Sequence, residues 1–205
     1  MRTKIVAAVL FAASLWASPS MAQDDPKATA IFAGGCFWCI ESDFDSVPGV
    51  LETTSGYTGG TTLNPTYIQV AKNGTGHREA LRIVFDPEQV TYEQLLVAFW
   101  RSIDPTDAGG QFCDRGEPYQ SAVFVIGDEQ RKLAETSKAE AEKDLGQKVA
   151  TTIEGAGIFY PAEEYHQDYH NKSTLKYQFY RWRCGRNAQV EKIWGEAAYT
   201  DIPNH

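Results

Sequence analysis

The chain has 205 residues, 42% of them hydrophobic and 12% aromatic, and its 27 acidic side chains outnumber 19 basic ones for a formal net charge of −8. An acidic balance of this size excludes nucleic acid as a partner, because phosphate binding relies on a basic surface. The length suits one domain with a full core, and no internal repeat or Pro/Gly/Ser-rich linker divides it.

The first residues read as an address. Arg2 and Lys4 precede an apolar run from Ile5 to Leu15 broken only by Ser14, and Ser20-Met21-Ala22 offers small residues at both positions a signal peptidase reads. The run is shorter than the roughly 20 residues that cross a bilayer. The expectation is a signal peptide over 1–22 and a single domain over 23–205, exported to a periplasm, monomeric and free of the membrane after cleavage. An uncleaved N-terminal anchor is the alternative.

Ala28 to Ala33 is a short apolar, β-prone run that breaks at Gly34-Gly35, as a buried strand entering a turn does. From Cys36 the period changes: Phe37, Ile40, Phe44 and Val47 recur at helical spacing until Pro48-Gly49. Val50 to Tyr57 is β-prone, a polar loop runs through Asn64-Pro65, and Glu79 to Asp86 alternates as a half-buried strand. Thr91 with Gln94 is a capping-box signal, and Tyr92, Leu95, Leu96, Phe99 and Trp100 form one apolar helical face behind it. Asp104 to Pro118 is a long polar loop, of the length that is usually functional. Ser121 to Ile126 reads as a strand, Asp128 to Leu145 as a charged surface helix closed by Gly146, and Val149 to Ile153 as a strand. Tyr160 to Tyr180 is aromatic and polar without a clear period, and a short helix is expected over Ala188 to Ala198. The order is α+β. A mixed sheet with helices packed on it, in the manner of a ferredoxin-like or split βαβ plait, would carry a long aperiodic C-terminal wrap.

All four cysteines, Cys36, Cys39, Cys113 and Cys184, lie beyond the leader. In an oxidising compartment structural disulfides are open to them, yet two cysteines three apart within GGCFWC suit chemistry better than scaffolding. A thiol in the first turn of a helix meets unpaired N–H groups and the positive end of the helix dipole. Both favour the thiolate, the reactive form. Phe37 shares the apolar stripe with Ile40 and Phe44, whereas Trp38 lies off it and is expected to line a pocket. Aromatic walls suit a small group carrying thioether-like sulfur. His166 and His170 are four apart, but no H-E-x-x-H arrangement accompanies them, and no metal is expected.

GCFW after a strand is followed in order by SGYTGG (Ser55 to Gly60), NPTY (Asn64 to Tyr67), TGHRE (Thr75 to Glu79), Asp86-Pro87, DPTD (Asp104 to Asp107), DRGEPYQS (Asp114 to Ser121) and PAEEYHQDY (Pro161 to Tyr169). This succession resembles the A-type peptide-methionine sulfoxide reductases. The resemblance implies thiol-dependent reduction of methionine-S-sulfoxide, free or in proteins, with Cys36 as nucleophile and Phe37 and Trp38 as the rings receiving the sulfoxide methyl group. It implies that Glu79 and the hydroxyls of Tyr67 and Tyr119 address the sulfoxide oxygen, and that Asp114 is an active-site acid. No bound cofactor is implied; the electrons come from an external, thioredoxin-like dithiol donor.

Chemistry makes the roles sensible. The sulfoxide oxygen must leave carrying a proton, which a glutamate held neutral near pH 7 can supply, and burial against rings raises a carboxyl pKa. Glu79 is therefore expected to be buried within reach of Cys36, with His77 as a supporting or structural group. Oxygen removal leaves Cys36 as a sulfenic acid, which a second thiol resolves to a disulfide. Cys39, Cys184 and Cys113 all remain candidates. Many family members carry glycine where Cys39 stands and recruit a C-terminal cysteine, and Gln120 replaces the arginine usual after the tyrosine. A thioredoxin-like CxxC oxidoreductase and a secreted, non-enzymatic module with structural disulfides are the rival readings.

Overall fold

The computed structural model describes residues 27–203, so the expected signal peptide at 1–22 lies outside the described residues. In chain order the elements are β1 (Ala28–Ala33), α1 (Phe37–Phe44), β2 (Val50–Thr58), α2 (Tyr67–Ala71), β3 (Arg78–Phe85), α3 (Tyr92–Arg101), β4 (Gly110–Gln111), β5 (Asp114–Arg115), β6 (Ala122–Val125), α4 (Gly127–Leu145), β7 (Thr152–Gly155), β8 (Tyr160–Pro161), α5 (Tyr169–Lys172), α6 (Thr174–Arg183) and α7 (Arg186–Trp194). Six strands form one mixed sheet in the order β7-β6-β1-β3-β2-β8, with β6 and β7 parallel and the other neighbours antiparallel. β4 and β5 make a separate small hairpin.

β1 is central and apolar on both faces because both are covered. Ala30 and Phe32 join Leu81, Ile83 and Phe85 of β3 under Ile40 and Phe44 of α1 and the Leu95, Leu96 and Phe99 stripe of α3. Ile31 and Ala33 point the other way, onto Ala80, Ala122 and Phe124. Phe32 sits at the middle of the larger cluster, its ring 4.9 Å from that of Phe99 and 5.6 Å from that of Phe44. Phe32→Ala is expected to cost about 3–5 kcal/mol, the range for emptying a buried aromatic site. Urea denaturation of the two proteins measures it.

The expected helix signals take their places. The Gln94 N–H donates to Thr91 Oγ1 at 3.3 Å while Gln94 Oε1 accepts from the Thr91 N–H at 2.9 Å, and Gly146 ends α4 in the left-handed region at φ +65°. Two expectations need correction. The strand expected over Val149 to Ile153 begins at Thr152 instead, because the N–H groups of Ala150 and Thr151 donate to the Pro105 carbonyl rather than to a ladder. The C-terminal stretch is not aperiodic: α5, α6 and α7 occupy it. α6 escaped detection because its apolar residues do not face the core. Tyr177 and Arg181 are its buried pair, while Leu175, Phe179 and Trp182 are exposed.

Candidate active site

The β1–β3 register brings the site together. Phe32 stands opposite Leu81, so the chain leaving β1 through Gly34-Gly35 runs past the start of β3, where Glu79 is. Glu79 shares the strand face of Leu81, Ile83 and Phe85, and period-2 geometry therefore sends a carboxyl group into an apolar row. Gly35 makes the turn at φ +85°, and a Cβ there would lie 2.5 Å from Gln111 Cβ. Cys36 is then the N-cap of α1, and the next N–H, of Phe37, donates to Glu79 Oε2 at 3.0 Å.

Cys36, Phe37, Trp38, Tyr67, Glu79, Asp114, Tyr119 and Tyr180 line one cavity of about 70 Å³. Seven of the eight are the residues singled out in the sequence; Tyr180 is the addition. Phe37 is 1% exposed and serves core and cavity at once, packed with Tyr57, Val70 and Tyr67. Trp38 stacks on Tyr169 with ring centroids 3.8 Å apart. Its Nε1–H donates to His166 Nδ1 at 3.1 Å. The Asp104–Pro118 loop is ordered by Gln111, which is buried and whose Nε2 donates to the Asp104 carbonyl at 2.7 Å. That arrangement presents Asp114 on β5, where it accepts a short hydrogen bond from the Tyr180 hydroxyl.

The charge states follow from burial. Glu79 is 2% exposed, and loss of water pushes its carboxyl up to about 8 against the opposing Phe37 N–H, with Asp114 and Cys39 adding to the rise. It is neutral at pH 7. Burial likewise pushes Tyr67 up to about 12 and raises Tyr119, so both stay hydroxyl donors. Asp114 is raised by burial, partly offset by Tyr180 and Arg186. The helix N-terminus, expected to favour the Cys36 thiolate, is opposed here by burial. Burial holds this thiol well above its ordinary value, reinforced by Cys39, Glu79 and Asp114, because an enclosed cavity with two carboxyl groups outweighs half a unit of helix-end charge. Cys39 moves the other way. Its hydrogen bond with Cys36 lowers it despite burial, helped by the guanidinium groups of Arg186 and Arg181.

Cys36 and Cys39 are free thiols, and Cys113 and Cys184 are joined in a disulfide with Cα atoms 5.0 Å apart. The chain matches the family described as peptide methionine sulfoxide reductase over residues 28–198. The chain belongs to that family. It is 53% identical over 173 residues to peptide methionine sulfoxide reductase MsrA 2 of Rhizobium meliloti (strain 1021), covering 84% of this chain and 86% of that one. Among solved structures it is similar to Mxr1 from Saccharomyces cerevisiae in reduced form, with TM-score 0.69 and 30% identity over 74% of this chain and 88% of that chain. Mxr1 in complex with Trx2 aligns with TM-score 0.51 and 25% identity over 74% of this chain and 91% of that one.

The family's PAEEYHQDY stretch has a positioning role that sequence reasoning left unassigned. Glu163 accepts from the Tyr57 hydroxyl at 2.8 Å and from the Tyr67 N–H at 2.9 Å, tying β2 to the start of α2. Gln167 pairs with the Ser55 backbone through both ends of its amide. His77 is structural: its Nδ1 accepts from the Gly60 N–H at 3.2 Å and its Nε2 meets the Thr62 carbonyl at 2.7 Å. His170 faces Asp45 at 3.3 Å rather than His166. Beneath the thiols, Arg181 contacts Asp43 Oδ1 at 2.8 Å, and Arg186 donates to the Gly34 and Ser102 carbonyls. No pattern of spacing announced these arginines; the charged run RWRCGR reads as surface until α6 and α7 fold under α1.

Proposed function

We propose that this enzyme reduces the S epimer of methionine sulfoxide, free or in proteins, with Cys36 as nucleophile and Glu79 as proton donor. The observation that carries this is a buried, neutral carboxyl and a thiol lining one aromatic cavity, coupled through the Phe37 N–H. The sulfoxide methyl group lies against Phe37 and Trp38, and its oxygen accepts from Glu79, Tyr67 and Tyr119. Hydrogen bonding to the oxygen makes the sulfur electrophilic, and neutral phenols stabilise the charge that develops. Cys36 attacks the sulfur while Glu79 gives its proton to the oxygen and is reprotonated by the Cys36 thiol; the S–O bond breaks, the OH ends on the Cys36 sulfur, and the products are the thioether and a Cys36 sulfenic acid. Asp114, fixed by Tyr180, completes the polar wall. Cys39 then attacks the sulfenic sulfur, releasing water and leaving a Cys36–Cys39 disulfide. Its lowered pKa and its hydrogen bond with Cys36 support Cys39 over Cys113 and Cys184, which are bonded to each other. An external thioredoxin-like dithiol restores the thiols.

We further read β1-α1-β2-β3-α3-β6 as a ferredoxin-like plait, supported by the antiparallel order β6-β1-β3-β2 with α1 and α3 in one core cluster, and α5 to α7 as its C-terminal wrap. The leader pattern at 1–22 supports export to a periplasm, and the protein acts there as a monomer.

Incubating the reduced chain with each epimer of a methyl-capped methionine sulfoxide, without reductant, tests the assignment. The S epimer should yield thioether together with a Cys36–Cys39 disulfide on peptide mapping. Preference for the R epimer overturns it. Cys39→Ser should still give one turnover, with a dimedone-reactive Cys36, while steady-state turnover on dithiothreitol falls roughly tenfold for want of the resolving thiol.

A further inference from the structure

Arg181 and Arg186 are 9% and 1% exposed, and two guanidinium groups buried in one place are costly unless anions meet them. Asp43, itself buried, meets both: its Oδ1 is 2.8 Å from Arg181 Nη1 and its Oδ2 is 3.8 Å from Arg186 Nη2. Two positive charges thus share one carboxylate. Asp43 stands one turn after Cys39 on α1, so the two side chains lie on the same face of the helix, and the charge surplus sits beside the Cys39 sulfur. We propose that the Arg181–Asp43–Arg186 cluster positions the resolving step, with Cys39 as its second anion, held as the thiolate that attacks the Cys36 sulfenic acid. This rests on the reductase reading above and deepens it.

Both arginines are fixed in place. Arg181 donates to Asn187 Oδ1 at 2.7 Å, to the Tyr177 and Tyr199 hydroxyls at 2.8 and 3.2 Å, and to the Cys39 carbonyl at 3.4 Å. Arg186 donates to the Gly34 carbonyl at 3.1 Å and the Ser102 carbonyl at 2.9 Å. One cluster therefore grips the turn before Cys36 and the backbone of Cys39 together. Cys39 faces Cys36 and Asp43 from α1, Glu79 from β3, Tyr177, Tyr180 and Arg181 from α6, and Arg186 from α7. Burial raises the Cys36 thiol, both phenols and Glu79, so all four are neutral at pH 7. The charges that reach the sulfur are those of the cluster. Asp114 interacts with Arg186 as well, but the Tyr180 hydroxyl holds it. Burial disfavours the Arg186 charge, and Cys39, then Asp43, restore it. A buried ion cluster contributes little stability beyond that of a packed apolar one, so stability alone does not account for two arginines here.

The step balances. The Cys39 thiolate attacks the Cys36 sulfur, and the S–S bond forms as the S–O bond breaks. The OH leaves with the Glu79 proton as water. An external dithiol then returns Cys36 as thiol and Cys39 as thiolate, and its remaining proton goes back to Glu79.

The test reads the ionisation of Cys39 in the full chain. In Cys36→Ser the free thiol that remains is Cys39, the serine hydroxyl can still donate to it, and its thiolate is followed by ultraviolet absorbance against pH. In that background Arg181→Gln should raise the midpoint by about one pH unit, and Asp43→Asn should lower it. A merely structural ion pair is broken equally by both substitutions, so opposite shifts are the mark of charge. Arg181→Lys, which keeps the charge, should restore most of the midpoint. With Cys36 present, Arg181→Gln should slow the loss of dimedone-reactive sulfenic acid at pH 7 by up to about tenfold, and the deficit should close as pH rises. Shifts in one direction, or none, overturn the proposal. So does a Cys36→Ser midpoint at or above the ordinary thiol value of about 8.5, a measurement that leaves the cluster intact and holds even where the buried variants do not fold. Absence of thioether from the S epimer with the unsubstituted chain would instead sink the reductase reading, and the Cys39 titration is independent of that outcome.

Discussion

Cys36→Ser will abolish sulfoxide reduction while leaving the protein folded. Removing a covalent nucleophile costs on the order of 10⁶ in kcat in a well-studied hydrolase, and serine offers no route to the sulfenic acid that takes up the oxygen. The thiol is 6% exposed at the N-cap of α1, so its replacement by a hydroxyl of similar size costs about 1–3 kcal/mol of burial if unpaired. At about 2–4 °C per kcal/mol for a chain of this size, the melting temperature falls by about 2–12 °C. The variant should produce no thioether from the S epimer in single or multiple turnover. Retention of wild-type turnover would place the chemistry on another sulfur, and loss of the cooperative transition would assign Cys36 a structural part instead. This variant also separates the rival readings, because a module stapled by disulfides would suffer only in its folding.

How much of this was legible in the sequence depends on whether a feature is local. The strand-turn-helix at Gly34-Gly35-Cys36 was legible because turn glycines and a change of period are properties of neighbouring residues. Glu79 was legible through the resemblance carried by TGHRE; the strand register with Leu81, Ile83 and Phe85 supplies the physical reason, since a carboxyl in an apolar row must be buried and protonated or expelled. The state of the Cys36 thiol was not legible, since the helix end is a sequence feature but the enclosure by Glu79, Asp114 and Tyr180 comes from three other elements. α6 was hidden for a related reason. Its exposed Leu175, Phe179 and Trp182 and its buried Arg181 invert the usual pattern, and periodicity presumes that apolar residues point inward. Tyr180 and the Asp43–Arg181 pair went with it.

Glu79→Gln will lower kcat by about 10²–10⁴-fold, the usual contribution of a positioned proton donor, and will remove the alkaline limb of the pH profile. The amide can still accept from the Phe37 N–H, so the geometry at Cys36 persists and KM changes little. In the wild type, burial raises the carboxyl to about 8, and the reactive form is the neutral one. Activity is therefore present below that value and kcat/KM falls about tenfold per pH unit above it, even as the Cys36 thiol comes closer to ionising. In the glutamine variant that fall is absent. Stability has the same sign. A group whose folded pKa lies above its unfolded value of 4.5 gives stability that is complete below 4.5 and is lost as pH rises through about 8. The wild type should thus lose more melting temperature than Glu79→Gln between about pH 5 and 8.5. Glu41, also buried and raised to about 8, contributes equally to both proteins and cancels in the comparison. If the two proteins share one pH profile, Glu79 does not hold the proton that the departing oxygen requires, and the donor must be sought at Asp114 or the tyrosines.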